Sequence, residues 1–370
     1  PHIMTHENSC DQLQPQMALA DIPVGDAGIT IALVGNYPDT DETRMLLTPE
    51  ACGLLTSAGI NLYMETGAGV DVSFTDANYA EYGVKIVTRE EALKMPIVLS
   101  YAPLRVKDIR KMSKGATLMC MMASELFDVE VIKCLLECQI TLGCFDNMLS
   151  HNDEPVFANI IDEINGRAAV MYAQDFLSFT GGGKGVLLAG GIGINPCEVL
   201  LIGEGNDVYA AAKAARAAGA YVTIMNNDIS ALQVAKEVCG ETVNCLSIHP
   251  KVLYNKVKSA DVIFMAPCTR PFEFPKHLSV ALKDSAFVLN FEETQPSVSV
   301  PRTVAMAVSN VLVNFFDEMS LKGGIDSMLA TTPGMQYGIV TYRGKLVDKL
   351  IGSYTSLPSV DITMMLSASN

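Results

Sequence analysis

At 370 residues, with 49% apolar and 18% charged side chains, the chain has material for two packed domains, which excludes a disordered or fibrous protein. Its 26 basic against 41 acidic side chains give a net charge of −15 with no basic stripe, so no nucleic acid and no anionic membrane surface is expected as a partner. No run reaches the roughly 20 apolar residues of a bilayer crossing, and ten cysteines scattered through apolar segments fit reduced thiols; a cytoplasmic protein without direct membrane insertion is expected.

Residues 1–27 lack a charged-then-apolar leader pattern and read as a tail or tag remnant outside the fold. Residues 29–34 form the first expected strand. Thr48-Pro49-Glu50 then supplies a cap, a first-turn proline and an early acid for a helix. Further strands are expected at 60–65, 97–99, 117–122 and 140–145, with helices between them, one near 129–137. Cys134 and Cys138 stand four apart on that helix. No second CxxC or neighbouring histidine joins them, so they read as core packing and no metal is assigned.

A long helix is expected over 159–177, ending before Gly181-Gly182-Gly183. A second series follows, with strands at 198–202, 221–225, 242–246, 261–265 and 286–291, most of them joined by helical crossovers. The alternation predicts an α/β fold of two Rossmann-like domains with parallel sheets. Residues 304–316, VAMAVSNVLVNFF, carry no charge on any face, which predicts burial. That helix either returns to the first domain's core or is shared between domains and a subunit interface.

The turn IGEGNDVYAAAKAA follows the first strand of the second series. In a dinucleotide-binding turn the first glycine makes the bend, the second admits the pyrophosphate, and the third lets helix and strand pack closely. Gly203 and Gly205 fill the first two positions, but Val208 fills the third, where its branched side chain should push the helix off the sheet or force repacking. Glu204 and Asp207 place negative charge where a pyrophosphate would lie. At the end of the next strand Asn226 stands at the usual ribose-reading acid, with Asp228 two residues on; an amide weakens recognition of NAD and does not repel the 2′-phosphate of NADP.

ETRMLLTPEACGLL, METGAGVDVSFTDANYAEYGVKIV, GGKGVLLAGGIGINPCEVLLIGEG and YGIVTYRGKLV together resemble alanine dehydrogenase and the NAD-binding subunit of proton-translocating transhydrogenase. The resemblance implies a discontinuous substrate-type domain over 28–156 and 304–360, an inserted nucleotide-type domain over 157–303, a cleft between them, and a homo-oligomer. It implies that Arg44 binds a substrate carboxylate through its planar fork. It also aligns Tyr101 with the family's substrate lysine, Ala123 with its catalytic histidine, and Asp162 with a serine that contacts cofactor phosphate. The family's loop facing the nicotinamide becomes NFEETQPS, where Glu292 or Glu293 supplies a carboxylate if the register slips.

Loss of a general acid/base costs roughly 10²–10⁴ in rate, and a carboxylate beside a phosphate costs about 4 kcal/mol before screening. Alanine dehydrogenase activity is therefore not expected. Three readings remain open. The first is a silent or repurposed member with a cleft for a small anion or a nucleotide. The second is an oxidoreductase using NAD or NADP on a different amino or 2-oxo acid, with Tyr101, Glu292 or Glu293 handling the proton. The third is a soluble transhydrogenase-like subunit. A bound NAD or NADP and no bound cofactor stand equally.

Overall fold

The computed structural model describes residues 28–37, 40–121 and 128–367. The expected tail and Ala123 lie outside the described residues. β1 (Thr30–Val34), β2 (Asn61–Glu65) and β3 (Lys85–Val87) are joined through α1 (Pro49–Ser57) and α2 (Asp76–Glu81). α3 (Arg89–Leu93) precedes β4 (Ile97–Ser100), α4 (Val106–Ile109) precedes β5 (Thr117–Cys120), and α5 (Val129–Glu137) precedes β6 (Thr141–Cys144). Threonines start three of these helices. Thr48 Oγ1 accepts the Ala51 N–H at 3.3 Å ahead of Pro49, and Thr75 and Thr88 form capping boxes with Asn78 and Glu91.

α6 (Val156–Leu177) carries the chain out of this domain. Then come β7 (Glu198–Ile202), α7 (Asn206–Ala217), β8 (Tyr221–Asn226), α8 (Ile229–Cys239) and β9 (Asn244–Ser247). α9 (Pro250–Ser259), β10 (Val262–Met265) and β11 (Phe287–Asn290) complete a parallel sheet in the order β11-β10-β7-β8-β9. α10 (Pro301–Leu321) brings the chain back, followed by α11 (Ile325–Thr331), α12 (Pro333–Gln336), β12 (Ile339–Tyr342) and β13 (Lys345–Leu346). α13 (Lys349–Thr355) and α14 (Ile362–Ser367) close the described chain.

β12 and β13 return to the first sheet, whose order is β13-β12-β6-β5-β4-β1-β2-β3. They pair antiparallel, β12 with β6 and β13 with β12, while the rest of that sheet is parallel. The first domain is thus discontinuous, and the architecture is the expected pair of Rossmann-like domains.

The two domains are joined by α6 and α10, whose aromatic side chains meet. Phe145, at the end of β6, lies 4.9 Å from Phe157 of α6 and 5.3 Å from Phe315 of α10 between ring centroids. α10 packs one face within the chain. Val304, Ala305, Val308, Leu312, Phe315, Phe316 and Met319 are buried along that face, while Met306 is 56% exposed, and Asn310 and Asn314 lie on the open side.

Val208, expected to push the helix off the sheet or force repacking, is fully buried in the second domain's core with Val199, Leu201 and Ala212. α7 makes a close backbone approach to α6, which presents Gly166. A Cβ there would stand 2.2 Å from the Asp207 carbonyl oxygen and 2.7 Å from the Ala211 nitrogen. Gly166→Ala must therefore separate two backbones, and it is expected to lower stability by about 1–3 kcal/mol, read as a drop in the urea midpoint at unchanged slope.

Candidate functional site

The connection from β1 to α1 carries Glu42-Thr43-Arg44, and the apolar residues Met45, Leu46 and Leu47 that follow draw it into the core. Arg44 is only 2% exposed. Its Nε donates to Glu42 Oε1 at 2.8 Å and its Nη2 to Glu42 Oε2 at 2.7 Å, a two-pronged pairing. Its Nη1 donates to Ser297 Oγ at 2.8 Å, in the tight turn Pro296–Ser299 that leads into α10. The Ser297 N–H in turn donates to Asn165 Oδ1 on α6 at 3.0 Å. Burial alone would lower the arginine's pKa, but the hydrogen bonds to Glu42 and the charge of that carboxylate outweigh it, so the guanidinium stays charged.

The guanidinium carbon sits 4.3 Å above the Tyr101 ring. Tyr101 is buried, and burial pushes its phenol above the ordinary range against the opposing effect of Arg44. It therefore stays protonated near neutrality. Its backbone N–H donates to Tyr37 Oη at 2.5 Å, and Tyr37 Oη donates to the Val34 carbonyl at 3.1 Å. Burial pushes the Tyr37 phenol up to about 12. The expected substrate arginine and its aromatic neighbour are thus packed together, with a carboxylate of the chain itself already filling the guanidinium fork.

In the second domain the glycine turn keeps its backbone form. Gly203 and Gly205 take φ of +127° and +120°, and a Cβ on Gly203 would stand 2.4 Å from the Ala266 carbonyl. The N-terminal amides of α7 are partly taken by the chain's own side chain, since Asp207 Oδ1 accepts the Val208 N–H at 2.7 Å. Glu204 spans the strand tips, accepting from Thr269 Oγ1 and from Asn226 Nδ2, the latter at 3.5 Å. Asn226 Oδ1 accepts the Asp228 N–H at 2.9 Å, so the 1% exposed amide is engaged at both ends.

The sequence treats Asp162 and Asp207 as fixed negative charges. Burial pushes the Asp162 carboxyl to about 6. The Asp207 carboxyl rises to about 7, first through burial and then through the charge of Asp162. Their repulsion toward a phosphate is therefore set by pH in the neutral range. Glu292 and Glu293 stand exposed in the turn after β11, where Asn290 Oδ1 accepts the Glu292 N–H at 3.1 Å and Asn290 Nδ2 donates to Glu293 Oε1 at 3.3 Å. The same loop leads to Ser297 and so to Arg44.

Sequence reasoning missed Glu42, Ser297, Asn165, Tyr37 and Thr269. Only Glu42 carried a local signal, an acid two residues before the arginine. The rest reach the site across the fold.

The family model "Alanine dehydrogenase/PNT, N-terminal domain" matches residues 38–158, and "Alanine dehydrogenase/PNT, C-terminal domain" matches residues 169–269. The alanine dehydrogenase of Mycobacterium tuberculosis is 24% identical over 376 residues, covering 88% of this chain and 97% of the relative. That of Bacillus subtilis is 25% identical over 346 residues, covering 84% and 91%. A solved L-alanine dehydrogenase superposes with a TM-score of 0.80 at 21% identity, covering 89% of this chain and all of that one. A transhydrogenase from Sinorhizobium meliloti superposes with a TM-score of 0.69 at 14% identity, over 86% of this chain. These superpositions establish a shared fold.

Two outcomes follow from the site. Glu42→Gln leaves a buried guanidinium without its counter-charge and is expected to cost roughly 3–5 kcal/mol, with a double-mutant cycle against Arg44→Met showing strong coupling in urea unfolding. The two aspartates set a pH dependence. Their folded pKa values lie above that of an unfolded aspartate, near 3.9, so the folded state binds the extra protons. Their contribution is full below about pH 4 and is lost as pH rises through about 6 and 7. Asp207→Asn should flatten that decline, measured as the urea midpoint from about pH 5 to about pH 8.

Proposed function

The chain belongs to the alanine dehydrogenase/PNT family, and on that footing we propose that it no longer interconverts alanine and pyruvate and instead holds a repurposed cleft for a small anion or a nucleotide. The C-terminal family domain is one that typically binds NAD(P). One observation carries the loss of alanine turnover: the chain's own carboxylates stand at both places where the cleft would receive substrate carboxylate and cofactor phosphate. Glu42 fills the fork of Arg44, and Asp207 takes an N-terminal amide of α7.

A substrate carboxylate must expel Glu42 to reach Arg44, and Glu42 sits within the same short loop, so its local concentration is high. A diphosphate must compete with Asp207 and pass Glu204, which is tied to Asn226 and Thr269. Tyr101, held protonated under Arg44, does not serve as a base near neutrality. Proton transfer on a substrate at the 2-carbon would have to come from elsewhere.

A second reading, an oxidoreductase using NAD or NADP on a different amino or 2-oxo acid, draws support from the intact bends at Gly203 and Gly205 and from the exposed carboxylates of Glu292 and Glu293. Nicotinamide fluorescence titration with NADH and NADPH separates the two. Repurposing predicts a Kd weaker than about 1 mM for both, no turnover of alanine, and a gain of at least about tenfold in affinity when Glu204→Ala is combined with Asp207→Ser. Tight binding by the unaltered chain, with turnover lost in Glu292→Gln or Glu293→Gln, would favour the oxidoreductase.

A further inference from the structure

In the first sheet β1 lies between β2 and β4, and the connections leave it in opposite directions, so the carboxyl ends of β1 and β4 form a switch point where open α/β sheets take ligands. A cavity of about 590 Å³ opens there, lined by Asn36, Tyr37, Glu65, Arg89, Lys107, Asp108 and Lys111. It lies on the α3 and α4 side of the tips and includes none of Arg44, Tyr101 or the glycine turn.

The polar groups of this cavity sort into a closed floor and an open rim. On the floor, Glu65 Oε2 accepts the N–H groups of Gly35 and Asn36 at 3.2 and 3.3 Å, so the backbone cradle after β1 is filled. Arg89 is spent on the two buried acids, its Nη1 donating to Glu65 Oε2 and its Nη2 to Asp108 Oδ2, each at 2.9 Å. On the rim, Lys107 and Lys111 are four residues apart and line the same opening. Among the described residues neither ammonium has an ion-pair partner. In a chain of net charge −15 this leaves a cavity with positive excess, three cations against two acids. The second cavity, which Glu154, Glu163 and Lys213 line, has the opposite balance.

We propose that this switch-point cavity is a binding site for a small phosphorylated metabolite, its phosphate held by Lys107 and Lys111 and its polar body lying against Asn36 and Tyr37. The class follows from the donors. No guanidinium fork is free, which disfavours planar two-pronged carboxylate recognition, while two mobile ammonium point charges suit a phosphate dianion. The volume is within the range of small-molecule pockets and far exceeds a bare phosphate. This site shares Tyr37 with the hydrogen bonds behind Tyr101, but its phosphate-holding groups, Lys107 and Lys111, belong to neither part of the interdomain cleft.

Calorimetric titration of the whole chain with ribose 5-phosphate at low salt tests it. Expected are saturable binding with a Kd of about 1 mM or tighter, a loss of at least about tenfold in the Lys107→Ala/Lys111→Ala double variant, and weakening by added salt. Ribose alone should not bind, and a charge-matched control, Lys251→Ala/Lys258→Ala on the exposed side of α9, should bind like the unaltered chain. Absence of saturable binding up to about 10 mM, full retention in the Lys107→Ala/Lys111→Ala variant, or an equal loss in the α9 control would each overturn the proposal. Lys107 and Lys111 are exposed, so their removal leaves the fold in place.

Discussion

A buried guanidinium holds the two halves of this molecule in register. Arg44 comes from the first domain, and water is shut out around it, so its charge must be answered by the protein itself. Glu42 answers it, Ser297 extends the chain of hydrogen bonds to the turn before α10, and Asn165 extends it to α6. Thr43 Oγ1 donates to the Val298 carbonyl at 2.7 Å, and Ser309 on α10 takes up the Thr48 N–H at 3.0 Å. The Glu42–Arg44 segment is thus sewn to the very elements that link the domains.

The same exchange recurs in the second domain. Helix N-terminal amides and strand-tip side chains form a ready receptor for anions, and here Asp207 accepts the Val208 N–H while Glu204 and Asn226 pair with each other. Substituting an internal partner for an external one preserves the fold, because the backbone does not distinguish whose oxygen it meets. It also changes what the cleft responds to. Asp162 and Asp207 titrate near neutrality, so the electrostatic field at the turn varies with pH where a fixed carboxylate pair would not.

The fold was legible because it rests on local rules. Threonine caps, a proline after Thr48 and alternating apolar runs placed β1, β2, β4 to β11, the start of α1, and α5 and α6 to within a few residues, whereas β3, β12, β13 and the short helices were not assigned. The site was less legible because its partners are distant in sequence. Nothing near Arg44 announces Ser297, 253 residues away. The close approach of α7 to its neighbour likewise rests on Gly166, on another helix, and a single-helix pattern contains no record of it.

The ends of the first sheet bear on how copies of the chain would meet. On one side β3 is only three residues long and exposes Lys85; on the other, β13 has two residues, one of them the exposed Lys345. Beyond β13, the Val360 N–H donates to the Leu346 carbonyl at 2.8 Å, so the following segment already blunts that margin. Ribbon-to-ribbon annealing needs a long, bare, uncharged border, and neither margin offers one. Templated growth of fibres through the margins of this sheet is thereby disfavoured.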